Sequence, residues 1–200
     1  MLKLYDREAS GNSYKARLLL SFLNMPYERI PVAMKDGKNV VDSSYLLLNP
    51  RGQIPTLVDG DTTLWGSTAI LCYLAARYDE TSSWLPREPA RLAEVMQWLE
   101  LAQNEIQTGL FRARAIVKFG LPGDLDAARQ IAQRALGVLD SRLAAQPWLA
   151  GSGPTIADIA CFPYVALAAE GRVDAAAHAG VAQWVERVKS LDRFVGMPGI

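Results

Sequence analysis

Two serines and an asparagine lie close together where the chain leaves its first apolar segment. The stretch SGNSYK, residues 10–15, follows MLKLYD and precedes the apolar run ARLLLSFLN. Apolar residues at helical spacing in that run predict a helix from about Ser13 to Leu23. Hydroxyl groups before a helix can cap it, and they can also donate to an anion at the positive end of the helix dipole. The residues alone leave both uses open.

A second polar stretch, NPRGQIPTL at residues 49–57, places Pro55 directly before a predicted strand. Proline disfavours helical backbone in the residue before it, so Ile54 should be extended. With a cis Ile54–Pro55 bond, the N–H and C=O of Ile54 would turn outward and offer two hydrogen bonds to another extended backbone. That arrangement suits a peptide-like ligand. A plain loop proline is the alternative, since only about one X–Pro bond in twenty is cis.

A third stretch, WGSTAIL at residues 65–71, places Ser67 and Thr68 at the start of a predicted helix. Free backbone N–H groups and hydroxyls at a helix N-terminus attract a carboxylate. Helix capping by Ser67 would explain the same pattern without a ligand.

The composition indicates which functions to leave aside. The 200 residues carry 21 basic and 21 acidic side chains, which gives no indication of a nucleic-acid or membrane partner. The N-terminus lacks the pattern of a signal peptide, and we expect a cytoplasmic protein. Cys72 and Cys161 are interpreted as separate buried thiols, and His178 is the one histidine, so we expect no metal site.

The chain divides into two parts of different pattern. The pattern of residues 1–78 predicts an α/β domain in the order β-α-β-α-β-β-α. A polar linker is predicted at residues 79–87, and an all-helical domain at residues 88–200. The right-handed crossover rule predicts that the first two strands pair in parallel. One long helix is predicted from Pro89 to about Phe119. The sequence TIAD at Thr155–Asp158 is interpreted as a structural capping box.

Taken together and in this order, the three polar stretches resemble the glutathione S-transferase family over nearly the whole chain. The resemblance implies a thioredoxin-like N-terminal domain that binds glutathione and an all-helical C-terminal domain that supplies the second substrate's pocket. It also implies a cytosolic, serine-type bacterial member that forms a homodimer and uses glutathione as co-substrate with a small hydrophobic electrophile.

The resemblance assigns site residues motif by motif. Ser10 falls at the position of the catalytic hydroxyl, and Asn12 could donate a second hydrogen bond to the sulfur. The remaining assignments are glutathione binding by Lys38, Gln53, Ile54, Pro55, Ser67 and Thr68, and an electrophile pocket formed by Gln107, Leu110, Phe111 and Arg114. Ser13 is then expected to cap the helix.

This sequence departs from the family pattern in three places. The residue before Ser67 is usually acidic and is Gly66 here. Lys38, followed by Lys35, is the candidate for the glycyl carboxylate, although neither matches the family position well. Tyr5 lies near the position of a catalytic tyrosine in other classes, but at the end of the first strand, so Ser10 is preferred.

Two classes of function therefore remain after the sequence. The first is an enzyme that activates the glutathione thiol for conjugation, or for reduction of a disulfide or peroxide. The second is a protein of the same fold that binds glutathione without catalysis, which Gly66 slightly favours. The intact Ser10, the Gln53-Ile54-Pro55 segment and Ser67 favour the enzyme.

Overall fold

A computed structural model describes residues 1–35, 38–39 and 41–200. Within these residues, the N-terminal part has six strands and three helices. They are β1 (Leu2–Asp6), α1 (Gly11–Phe22), β2 (Tyr27–Pro31), β3 (Met34–Lys35), β4 (Lys38–Asn39), α2 (Ser43–Leu48), β5 (Thr56–Asp59), β6 (Thr62–Trp65) and α3 (Ser67–Tyr78).

The main sheet has four strands in the order β2-β1-β5-β6. Strand β1 pairs in parallel with β2 and antiparallel with β5, and β5 forms a hairpin with β6. The predicted mixed sheet and its parallel first pair are confirmed. The small antiparallel pair of β3 and β4 was not predicted, because strands of two residues are too short to show an alternating pattern.

The C-terminal part is helical, and no strand follows Trp65 among the described residues. Its elements are α4 (Pro89–Gln103), a π-helical segment (Ile106–Phe111), α5 (Arg112–Phe119), α6 (Leu125–Ala145), α7 (Ile156–Ala166), a short 3₁₀ helix (Ala168–Gly171) and α8 (Ala179–Lys189). Residues 79–88, between α3 and α4, are neither helix nor strand. The domain boundary at residues 79–87 stays a prediction. Within the described part of the chain, no helix has both the length and the apolar character needed to cross a membrane.

The predicted single helix from Pro89 to Phe119 is wrong, because a π-helical segment interrupts it. Gly109 lies in this segment against the backbone of α6. A Cβ atom on Gly109 would be 2.5 Å from the Ala132 nitrogen, so only glycine permits the two backbones to approach this closely. The wider turn also rotates the residues that follow it away from the positions expected for a regular α-helix.

Helix α7 lies at the centre of the molecule. It packs against α1 and α3 of the N-terminal part and against α4, the π-helical segment and α8 of the C-terminal part. Nearly all of its residues are buried, from Ile156 to Val165. Any element that positions α7 therefore also positions the contact between the two parts.

The capping box predicted at Thr155–Asp158 is confirmed at the start of α7. The Asp158 carboxylate is fully buried and accepts hydrogen bonds from Thr155 N at 2.9 Å, Leu149 N at 3.1 Å and Trp184 Nε1 at 2.9 Å. Burial raises the pKa of this carboxyl group to about 6. The group is therefore ionised at neutral pH and joins α7 to the loop before it and to α8.

We expect Asp158→Ala to lower the free energy of unfolding by at least about 3 kcal/mol, because it leaves three buried donors without a partner. Asp126 also lies in the first turn of a helix, but it is exposed, and Asp126→Ala should change stability by less than about 1 kcal/mol. Urea unfolding of both variants measures the difference. Equal losses would contradict the structural role of Asp158.

Lys15, on α1, is fully buried, and its ammonium group has no hydrogen-bond partner among the described residues. The ammonium lies over the Tyr164 ring, 5.3 Å from its centroid. Burial lowers the pKa of Lys15 to about 8 from the ordinary value of 10.5. A group whose charged form is disfavoured in the folded state destabilises the fold wherever that form is populated.

Lys15→Met should therefore stabilise the protein by about 3 kcal/mol at pH 7, where the wild-type ammonium is charged in both states. Between pH 8 and 10.5 the unfolded chain binds more protons than the folded one, so wild-type stability rises with pH in this window. The advantage of the variant should shrink accordingly. Unfolding measured at pH 7 and pH 10 tests this, and a constant difference would be inconsistent with a buried charge.

Candidate functional site

The turn between β1 and α1 differs from its prediction in one respect. Helix α1 begins at Gly11, and its N-cap is Ser10, whose Oγ accepts a hydrogen bond from Ser13 N at 3.2 Å. Ser13 is fully buried and its hydroxyl has no partner among the described residues, so the prediction that Ser13 caps the helix is wrong. Residue types alone do not fix the start, because either serine satisfies the capping preference.

Tertiary contact determines where α1 starts. The Tyr164 ring of α7 lies against Gly11, where a Cβ atom would be 2.6 Å from Tyr164 Cε1. Burial raises the pKa of Tyr164 above its usual range. The phenol therefore remains protonated at neutral pH and holds the first turn of α1 in place.

Ser10 keeps a donor for a ligand. Its oxygen accepts the Ser13 N–H, so the hydroxyl proton is not used by the cap. The side chain is partly exposed and lines a cleft between the two parts of the molecule. A hydroxyl donor at the N-terminus of a helix can stabilise an anion there.

The loop before β5 has the conformation predicted for it, with a cis Ile54–Pro55 bond. The Gln53 carbonyl accepts hydrogen bonds from Tyr45 Oη at 2.5 Å and from Asn49 Nδ2 at 2.7 Å, which fixes the loop from below. The Ile54 backbone has no hydrogen bond to any other described residue. Its N–H and C=O are thus available to an extended ligand.

Helix α3 begins at Ser67 and has Gly66 as its N-cap, with no side chain bonded to its first amides. Gly66 has a φ of 89°, a conformation that glycine adopts without steric cost. Ser67 thus does not cap the helix. Its hydroxyl lies 3.5 Å from Asn12 Oδ1, a long contact that leaves it free for a ligand. Thr68 Oγ1 instead accepts from Gln103 Nε2 at 2.7 Å.

These segments enclose one continuous cleft. It consists of a larger cavity of about 480 Å³ next to Ser10 and a smaller one of about 240 Å³ next to Ser67. The two share the lining residues Asn12, Arg51, Gln53, Ile54 and Gln107. The predicted residues that line the cleft are Ser10, Asn12, Gln53, Ile54, Pro55, Ser67, Gln107 and Phe111. Thr68 lies beside the cleft at the first turn of α3.

Two residues predicted for the electrophile pocket lie elsewhere. Leu110 and Arg114 are both buried, with 1% of their surface exposed. Arg114 Nε donates to Glu170 Oε2 at 2.5 Å, and its Nη1 donates to the Ala9 carbonyl at 3.1 Å. A regular α-helix would place residues 107, 111 and 114 on one face, but the π-helical segment turns Arg114 away into the interior.

The other candidates can be placed more briefly. Lys38 belongs to β4, but its side chain lies outside the described part of the chain. Lys35 is exposed on β3 and does not line the cleft. The Tyr5 ring packs against Tyr45, with centroids 5.3 Å apart, and is also absent from the cleft lining. The preference for Ser10 over Tyr5 as the catalytic hydroxyl stays a prediction. Of these two residues, Ser10 lines the cleft and Tyr5 does not.

Three lining residues with charged or phenolic side chains were not predicted from the sequence. Arg51 lies inside the NPRGQIP stretch, so its position next to a predicted peptide-binding loop could have indicated a binding residue. Its guanidinium lies 5.4 Å from the centroid of the Trp65 ring. Arg7 precedes Ser10 by three residues and lines the larger cavity. Tyr164 reaches the cleft from α7, and no local sequence pattern links it to the first turn of α1.

Comparison with known proteins gives consistent matches. Residues 4–82 match the family model of the glutathione S-transferase N-terminal domain, and residues 122–187 match that of the C-terminal domain. Glutathione S-transferase GstB of Escherichia coli K12 is 33% identical over 173 residues, which is 82% of both chains. The disulfide-bond oxidoreductase YfcG of the same strain is 30% identical, over 95% of this chain and 91% of that protein.

The fold is also that of solved members. The crystal structure of a glutathione S-transferase from Pseudomonas fluorescens Pf-5 superposes with a TM-score of 0.90 and 36% identity, over 98% of both chains.

The two serines of the first turn should differ in their effect on stability. Ser10→Ala removes the α1 cap and should cost about 1 kcal/mol. Ser13→Ala removes a buried hydroxyl that has no partner, so stability should be unchanged or slightly higher. Thermal unfolding of the two variants compares them, and a larger loss for Ser13→Ala would refute the observed helix start.

Proposed function

The chain belongs to the glutathione S-transferase family, and we propose that it activates the glutathione thiol for attack on an electrophile. The observation that carries this proposal is the hydroxyl of Ser10. It accepts the Ser13 N–H, keeps its own proton, and faces a cleft at the positive end of α1. In this proposal Ser10 is a hydrogen-bond donor to sulfur and not a nucleophile.

The proposed position of glutathione follows the free polar groups of the cleft. The backbone of its cysteine would pair with the N–H and C=O of Ile54, next to Gln53 and Pro55. The γ-glutamyl carboxylate would bind at the uncapped N-terminus of α3, with the Ser67 hydroxyl and the Ser67 and Thr68 amides. Arg51 is a further cation for a carboxylate of the tripeptide, and Lys38 stays a proposed contact of the glycyl end.

The chemical step requires the thiolate. A free thiol has a pKa near 8.5, so only a few per cent is ionised at neutral pH. Lowering that pKa by about two units needs a preference of roughly 2.7 kcal/mol for the charged form. The Ser10 hydroxyl, the α1 dipole and the Asn12 side chain would supply it together. The sulfur then attacks the electrophilic carbon, a C–S bond forms, and the leaving group departs with its electron pair.

The electrophile would bind in the larger cavity, next to Gln107 and Phe111. The Phe111 ring packs against the Tyr164 ring, with centroids 5.1 Å apart, and provides an apolar wall. An activated aryl halide with an aromatic ring fits this wall, and its conjugation is measured by absorbance. Conjugation above the uncatalysed rate would support the transferase proposal.

A second candidate function is reduction of a disulfide by glutathione, and the similarity to YfcG favours it. In this reaction two glutathione thiols are oxidised to one disulfide while the substrate disulfide is reduced to two thiols. The same thiolate site serves both reactions. Turnover of 2-hydroxyethyl disulfide, compared with turnover of an aryl halide, distinguishes the two candidates.

Binding without catalysis is the third candidate, because Gly66 replaces the usual acidic residue. The space beside Gly66 is open, since a Cβ atom added there would have no other atom within 4 Å, but its φ of 89° strains any larger residue. Calorimetry with glutathione tests binding by itself. Tight binding with no turnover of either substrate class would favour this candidate over both enzymes.

We also propose that the protein is a homodimer, as the family resemblance implies. Each N-terminal part would face the helical part of its partner. Trp65 on β6 and Met96 on α4 are large apolar side chains with 41% and 37% of their surface exposed, and they suit such a face. Sedimentation at micromolar concentration measures the assembly, and a monomer would count against it.

The assignment of the hydroxyl leads to a specific expectation for Ser10→Ala. The pKa of bound glutathione should rise and turnover at neutral pH should fall by roughly ten- to a hundredfold, because a hydrogen bond to a charged group is lost. Affinity for glutathione should change little, since Ile54 and the α3 N-terminus remain. Higher pH should restore part of the rate. Thiolate absorbance against pH provides the measurement.

Ser13→Ala and Tyr5→Phe are the matched controls for this titration. Ser13 is buried behind the turn and Tyr5 packs on Tyr45, so neither substitution should move the thiol pKa. If Tyr5→Phe shifts the titration while Ser10→Ala leaves it in place, Tyr5 is the activating hydroxyl.

A further inference from the structure

The charged residues that line the cleft are basic. Its lining contains two arginines, Arg7 and Arg51, and no aspartate or glutamate among the described residues. Arg51 lines both cavities, including the smaller one with Ser67, whereas Arg7 lines only the larger cavity with Ser10. Arg7 is therefore separate from the α3 N-terminus, to which the proposed function assigns one carboxylate of glutathione.

Arg7 has no carboxylate partner among the described residues. One of its N–H groups donates to Asn39 Oδ1 at 2.8 Å, and the side chain is half-buried. The neighbouring Asp6 is fully buried and is occupied by Arg17 Nη1 and Arg29 Nε, each at 2.5 Å. Glu8 is exposed and lines a different cavity. A guanidinium with unused donors at a cleft wall is suited to bidentate binding of a carboxylate.

Further basic residues lie near the larger cavity. Burial lowers the pKa of Arg7 from its usual value; the nearby charge of Arg114 acts in the same direction, whereas Tyr164 and Asp6 act against it. Arg114 keeps one buried Nη2 without a partner, and its Nε shares Glu170 with Lys118. The buried ammonium of Lys15 lies over the ring of Tyr164, and Tyr164 lines the same cavity. These groups leave an excess of positive charge beside Ser10, which an anionic substrate would neutralise.

We propose that the second substrate is an electrophile with a flat apolar body and a carboxylate, and that Arg7 binds the carboxylate. This inference rests on the proposed transferase function and specifies its substrate class. The apolar body would lie against Phe111, Phe119 and Leu121, which line the same cavity. The carboxylate would accept hydrogen bonds from the N–H groups of Arg7 that are not bonded to Asn39. The electrophilic carbon would then face the glutathione sulfur at Ser10.

The test compares 4-chloro-3-nitrobenzoate with its methyl ester. In both, the glutathione sulfur attacks the carbon that bears chlorine, a C–S bond forms, and chloride leaves with the bonding electrons. Each value of kcat/KM is divided by the uncatalysed rate constant with glutathione, which removes the difference in intrinsic reactivity. We expect the wild-type protein to favour the acid over the ester by about tenfold or more.

Arg7→Gln should remove this preference. The normalised value for the acid should fall by about ten- to a hundredfold, because a charge-assisted hydrogen bond is lost, while the value for the ester changes by less than about twofold. Arg7→Lys keeps the positive charge but loses the paired N–H donors of the guanidinium, and it should retain part of the preference for the acid. The KM for glutathione should remain that of the wild type in both variants.

Two further arginines serve as controls. Arg129 is exposed on α6, away from the cleft lining, and Arg129→Gln should leave both rates unchanged. Arg51→Gln should raise the KM for glutathione and leave the acid-to-ester ratio as it is. The proposal is overturned if the wild type shows no preference for the acid, or if Arg7→Gln lowers both substrates equally. A raised KM for glutathione in Arg7→Gln would assign Arg7 to the tripeptide instead.

A binding measurement separates this inference from the transferase function and does not depend on folding of a variant. Calorimetry on the wild-type protein compares the two conjugates, S-(4-carboxy-2-nitrophenyl)glutathione and its aryl methyl ester. If neither acceptor is turned over but the acid conjugate binds about tenfold more tightly, the transferase proposal falls and the carboxylate site stands. Equal affinities overturn the carboxylate site, whatever the turnover.

Discussion

The buried carboxylate of Asp158 is the constraint on which the arrangement of this molecule depends. It accepts hydrogen bonds from the first turn of α7, from the loop at Leu149 and from the indole of Trp184, and it is buried away from solvent. Since α7 packs against helices of both parts, fixing its start also fixes how the parts meet. The charge is costly to bury, and the donors around it offset that cost. A residue with no proposed chemistry thus determines the geometry of the cleft.

The effect of α7 reaches the cleft through Tyr164. This ring lies against Gly11, so the first turn of α1 is packed against the opposite part of the molecule. Ser10 then combines two functions that the sequence suggested for two residues. Its oxygen caps the helix, and its proton remains available in the cleft. Stability of α1 and the proposed activation of the thiol are therefore linked through one hydroxyl group, whereas Ser13 belongs to the core.

The electrostatics of the cleft follow from the same packing. Helix α3 presents uncapped amides at Ser67, and the lining around it contains arginines but no described carboxylate. Asp6 and Glu170, which do not line the larger cavity, are paired with other basic residues. A cleft of this kind favours anionic ligands along its whole length, which is consistent with a tripeptide that carries two carboxylates and with a thiolate at its centre.

The sequence by itself determined the features that depend on neighbouring residues. Alternating and helical patterns predicted the mixed sheet, its parallel first pair and the helical second part, and the TIAD motif predicted the cap of α7. The motif resemblance also led to the cis bond before Pro55 and to eight of the residues that line the cleft. Tertiary structure decided the rest. The start of α1 depends on the ring of Tyr164, which is distant in the chain, and the π-helical segment depends on the close approach of Gly109 to α6. The observed positions therefore differ from the predicted ones: Ser10 caps α1 in place of Ser13, and Arg114 lies in the interior and not in the pocket. Local propensity cannot encode such contacts, because they form only when distant segments pack together.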